Sequence, residues 1–124
     1  MILHANGDQR IFEYYEPRRL MQAAGVRPGT LLFNGQLQDT QYHGTARVFS
    51  KHCLGAPLAY AVQGQHISET KIVLTGAREV HTKCKPTGRF TQDRLVFTYI
   101  RPLGPQEAAP ASQQGGSIVE KSRP

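Results

Sequence analysis

The chain has no tryptophan, only two methionines and two cysteines, and no apolar run near the ~20 residues that a membrane-spanning helix needs. No span is therefore expected. It also lacks a phosphate-binding glycine loop, since "GARE" and "QGGS" have neither the lysine nor the spacing. His4, His43, His52, His66 and His81 form no HxH or HExxH grouping, so no metal or other cofactor is expected. Acidic residues are scarce: 9 Asp+Glu against 15 Lys+Arg give a formal net charge of +6 and a pI of about 9.7. Most of Glu13, Glu16, Asp39, Glu69, Glu79 and Asp93 lie in turns or at strand ends, where solvated surface carboxylates are expected rather than an acid–base pair. Ser50, His52 and Asp93 can be drawn as a triad, but five histidines produce such combinations by chance. A chain without catalysis is the expectation.

What is present is β pattern. "QYHGTARVF" alternates small or apolar Tyr42, Gly44, Ala46 and Val48 with polar His43, Thr45 and Arg47. The small residues at 44 and 46 point to close packing, at a barrel taper or beneath an aromatic ring. "RIFEYYE", "TLLFN", "PLAYAVQGQ", "KIVLTGA" and "RLVFTYI" read the same way, with Asn34-Gly35 and Asp39-Thr40 marking a loop. One short helix is predicted in "EPRRLMQAAGV", with Pro17 in its first turn, Gly25 as C-terminal cap, and Leu20, Met21 and Ala24 packed on the sheet. Most spacers are too short for parallel crossovers. The fold class is therefore all-β: a small antiparallel β-barrel or sandwich of seven to eight strands with one short helix. A barrel is preferred because it leaves no open edge.

The domain is placed at residues 1–101. Residues 102–124, with four prolines and no aromatic residue, read as a disordered or extended C-terminal tail. Lys121 and Arg123 there balance Glu107 and Glu120, so the whole positive excess lies in residues 1–101.

Cys53 and Cys84 admit several readings. A zinc site with His52 and His81 needs four converging side chains, and neighbours on an extended chain diverge. A reactive thiol is favoured by Lys51, His52, Lys83 and Lys85, but no local signature supplies a base or an oxyanion site. Two unlinked thiols in a cytosolic protein are a further possibility. A disulfide near neighbouring strand ends fits best, and it implies an oxidising compartment. "MILHANGDQR" is polar by its fourth residue, unlike a signal peptide, so the expectation divides between a mature periplasmic or secreted protein and a cytoplasmic one.

The runs "RPGTLLFNGQ", "YHGTARVFSKHC", "YAVQG", "IVLTGAREV", "CKPTG" and "RLVFTYI" together resemble a group of small exported proteins of alphaproteobacteria with no assigned activity. That group's pattern is GVxPGTLLFdG, then YxGTAxxF followed by a cysteine, then YxVxG, IxLxG and a final LVF. The resemblance covers about residues 2–100. It implies export and paired cysteines at Cys53 and Cys84, and it brings no catalytic residue. Where the group usually has CG, this chain has "CLGAP", so the turn is expected to differ.

The basic residues supply the candidate contact surface. Lys71, Arg78, Lys83, Lys85, Arg89 and Arg94 lie on successive strand-like segments, and if these pair as a meander several are expected to share one face, with the contact centred on Lys83, Lys85 and Arg89. The resulting expectation is a non-catalytic binding or structural module of the cell envelope that meets an unidentified protein or an anionic polymer there. The alternative is a cytoplasmic nucleic-acid-binding barrel, with Tyr14, Tyr15, Tyr42, Tyr60 and Phe90 as stacking surfaces.

Overall fold

A computed structural model describes residues 1–103 and 116–122. Eight strands run β1 (Ile2–Asn6), β2 (Gln9–Glu13), β3 (Leu31–Gln38), β4 (Gln41–Val48), β5 (Leu58–Ser68), β6 (Lys71–Thr82), β7 (Lys85–Pro102) and β8 (Gly116–Ser122). Each pairs antiparallel with its chain neighbours, and β8 returns to β1, closing an up-and-down barrel.

Closure comes from the segment expected to be a tail. Ile118 pairs with Ile2 on β1 and with Arg101 on β7, and buried Val119 joins the core. The folded unit therefore does not stop at residue 101. Ile118 and Val119 are the apolar part of β8, while residues 104–115 lie outside the described set.

Alternation fills the interior. Phe12, Phe33, Tyr42, Ala46, Tyr60, Val62, Ile72, Leu74, Leu95, Phe97 and Val119 form one buried cluster. The Phe12 and Phe97 rings come from non-adjacent strands and stack across the lumen at 4.0 Å, and Phe33 tilts against Phe12 at 5.7 Å. Asn34, Gln36, His43, Gln63 and Gln65 face solvent. This is the opposite of a lipid-facing barrel, which is apolar outside and polar within. Among the described residues, no helix is long and apolar enough to cross a membrane.

Asn34-Gly35 is not a loop. It lies inside β3, and Gly35 pairs with Gly44 of β4. A Cβ on Gly44 would stand 2.8 Å from Phe33 Cε1, so the small residue there makes room for an aromatic ring, as its position in the strand pattern foretold. The turn is Asp39-Thr40 alone, where Asp39 takes the left-handed conformation that short hairpin loops require.

The helix α1 (Arg19–Ala23) is only five residues long. Gly25 follows it at φ 88°, and the Val26 amide donates to Met21 O at 3.0 Å, giving a glycine-based C-terminal stop. Ala24 and Val26 are buried and Met21 is partly so, but Leu20 points outward with 85% of its surface exposed.

Candidate binding site at the stapled end of the barrel

β6 and β7 are longer than their neighbours can accompany. Their pairing runs from Lys71–Thr98 to Thr82–Lys85. The β5–β6 ladder reaches only Gln63–Thr75, and the β7–β8 ladder only Val96–Ser122. The far half of the β6–β7 hairpin thus extends beyond both ladders at one end of the barrel.

Its tip is a two-residue turn at Lys83 and Cys84, with φ of 50° and 71°. Two successive positive φ angles are the mark of a type I′ turn, normally given to Asn-Gly. A side chain in that region costs roughly 1–2 kcal/mol per residue. The offsetting constraint is covalent: Cys84 is joined to Cys53 in the β4–β5 loop, with Cα atoms 5.5 Å apart. With the two cysteines bonded to each other, neither is a zinc ligand nor a free nucleophile. In the chain-entropy model, closing such a loop contributes about 3–4 kcal/mol.

A wide bulge shapes the arm. Pairing passes from Glu79–Phe90 to His81–Pro86, so Thr87, Gly88 and Arg89 oppose Val80 alone. The Thr87 hydroxyl donates to Val80 O at 2.5 Å, and the Gly88 amide donates to Glu79 Oε2 at 3.1 Å. Glu79 Oε1 lies 3.4 Å from His81 Nε2. The one carboxylate on this stretch of β6 is therefore committed to the arm's own structure. Residues 80–92 add Lys83, Lys85 and Arg89, all exposed, with no acidic residue.

Of the six candidate basic residues, three gather and three lie elsewhere. Lys83, Lys85 and Arg89 gather at the hairpin end. Lys71 sits at the opposite end of β6, about 36 Å away at strand rise. Arg94 faces outward between them, opposite Thr75. Arg78 points into the barrel, where its Nε stands 3.4 Å from Asp93 Oδ2.

Asp93, expected as a solvated carboxylate, is buried with 7% of its surface exposed. The Tyr60 hydroxyl donates to Asp93 Oδ2 at 2.5 Å, and Oδ1 accepts from the Arg94 amide at 3.2 Å. Those partners make a buried charge tolerable. The signal was in the alternation: Asp93 shares parity with Leu95 and Phe97, and Arg78 with Ile72 and Leu74.

The proposed stacking surface does not assemble either. Tyr14, Tyr42 and Tyr60 are buried, Tyr15 is half-buried, and only Phe90 is exposed, at 66%. Tyr42 belongs to the far end, with its hydroxyl 3.1 Å from His66 Nε2. Burial pushes its phenol above the usual value, partly opposed by Arg10.

Two cavities open near this end. A groove of about 820 Å³ runs beside α1, walled by Tyr14, Met21, Phe49 and Ile118, and Lys121 Nζ lies 5.4 Å over the Tyr14 ring. A smaller cavity of about 140 Å³ sits against the disulfide. Comparison with protein-family models, curated proteins and solved structures finds no match.

Proposed function

We propose that the chain is a non-catalytic binding module acting outside the cytoplasm, in the periplasm or after secretion, and that it meets an anionic partner through the stapled hairpin end. The observation that carries this reading is the coincidence of the Cys53–Cys84 bond with Lys83, Lys85 and Arg89 on an arm whose acidic neighbour is already engaged. A disulfide persists where thiols oxidise, which supports the compartment. Fixing the arm before contact lowers the ordering cost of binding, and unopposed charge draws in polyanions.

The test titrates the full chain with a sulfated polysaccharide, poly-glutamate and a mixed oligonucleotide pool across a salt series. Binding to at least one should fall with salt, and each of Lys83→Gln, Lys85→Gln and Arg89→Gln should lower the log–log salt slope by about one for a duplex partner and somewhat less for a flexible one. Lys71→Gln should leave it unchanged. Absent or salt-independent binding to all three, or an equal loss from Lys71→Gln, overturns the reading. Binding confined to the oligonucleotides favours the nucleic-acid alternative.

A further inference from the structure

We infer that the small cavity against the disulfide is a receptor for a tetrahedral oxyanion, phosphate or sulfate. The inference deepens the reading above and rests on it for the kind of partner that would carry such a group. The cavity measures about 140 Å³. At about 30 Å³ per water, that holds a five-atom oxyanion with a water or two beside it. Its wall includes Arg78, Lys83, His52, His81 and Ser50, and no carboxylate. Asp93 and Glu79, which pair with Arg78 and His81, are not part of that wall.

Arg78 provides the strongest reason. Its Nε is buried and makes no hydrogen bond, standing only in ion-pair range of Asp93 at 3.4 Å. No hydrogen bond from its guanidinium to another described residue is present. A guanidinium carries five N–H donors in a fixed fork suited to the oxygens of phosphate or sulfate. Nε is the only guanidinium nitrogen both buried and without a hydrogen bond, so the terminal nitrogens reach solvent and stay open to an oxyanion in the cavity that Arg78 lines. Lys83 brings a second cation from the turn, held there by the adjoining Cys84 bond. Arg78 is charge-paired with Asp93, so Lys83 supplies the cavity wall's further positive charge.

The experiment is an amide chemical-shift titration of the full chain with inorganic phosphate and with sulfate, at ionic strength held constant with chloride. Saturable shifts are expected at His52, Cys53, Arg78 and residues 81–84, with acetate at least about tenfold weaker because a planar carboxylate engages fewer donors. Lys83→Gln and His52→Gln, at exposed positions, should weaken phosphate several-fold. Arg78→Lys, which keeps the charge and loses the fork, should weaken it about tenfold.

Non-saturating shifts, shifts spread equally to Lys71, or shifts unchanged in both exposed variants would mean an adventitious ion only and would overturn the site. A phosphoserine peptide, a sulfated disaccharide and a dinucleotide distinguish the sources: the one reproducing the phosphate footprint with higher affinity supports the site and names the carrier. Polyanion binding without a saturable phosphate site removes this cavity and leaves the broader reading standing. A phosphate site without polyanion binding does the reverse.

Discussion

The waist of the barrel and its stapled end are held by different physics. At the waist the ladder is continuous around eight strands, and the stacked Phe12 and Phe97 rings fill the lumen. Past Thr75 and Val96 the flanking ladders stop, and the β6–β7 arm depends on a disulfide, a bulge fixed by Thr87 and Glu79, and the buried Tyr60–Asp93–Arg78 cluster. Hydrophobic burial is non-directional and forgiving of polar change elsewhere. A covalent tie and a buried charge are local, directional and sensitive to conditions. The cooperative core and the surface proposed to bind are thus separable.

The largest expected effect breaks the waist. Phe97→Ala removes a ring that touches Phe12 across the lumen and should cost about 3–5 kcal/mol. Urea denaturation should show a global shift of midpoint, with hairpin and core losing stability together. A loss confined to the hairpin would deny that the stacked rings hold the barrel.

Next comes the staple. Replacing both cysteines by serine should cost about 2–4 kcal/mol. Native-state hydrogen exchange should show, beyond the global loss shared by all strands, extra local opening at residues 76–93 and the β4–β5 loop. Acceleration equal in all eight strands, with no added opening in the arm, would erase the distinction between the two regions.

Gly44→Ala comes third. The new methyl would press on Asn34 O and the Phe33 ring, at an expected cost of about 1–3 kcal/mol by overpacking. Thermal unfolding of the variant, with the disulfide intact and reduced, should give the same loss in both, because Gly44 belongs to the waist.

The smallest effect is at the far end. Tyr42 has its phenol pKa raised by burial, so the neutral form is favoured in the folded state. Its stabilising contribution is fully present below the unfolded value near 10 and is lost as pH rises through the folded value. Tyr42→Phe should cost about 1 kcal/mol at neutral pH through the lost contact to His66 and should flatten the alkaline decline in stability. An unchanged profile above pH 10 would show that Tyr42 does not govern it.

Most of the barrel was legible because period-two alternation is written into β4, β5 and the barrel-forming parts of β6 and β7, where one face must be apolar. Four things were less so. β1 has only five residues, and β8 has only Ile118 and Val119 as apolar residues, so closure of the sheet is what reveals them as strands. Asn34-Gly35 carries turn chemistry, yet the glycine answers a close approach to Gly44 and Phe33, and that depends on register. The interior Arg78 and Asp93 sit at core positions of the alternation, but their charge argued for solvent until Tyr60 and each other were seen as partners. The hairpin tip was hidden for a similar reason: Lys-Cys is a poor type I′ sequence unless a covalent tie holds it. Within the candidate site, the disulfide was foreseen from the spacing of two cysteines near strand ends, whereas the division of the basic residues between both ends and the lumen required the topology.

The most direct test of the account is the state of the two cysteines in the living cell. Intact cells of the native host are treated with a membrane-permeant alkylating reagent before lysis, and the purified chain is denatured and weighed. The account predicts no alkylated cysteine before reduction and two after it. Two alkylated cysteines without reduction would contradict both the staple and the extracytoplasmic reading built on it.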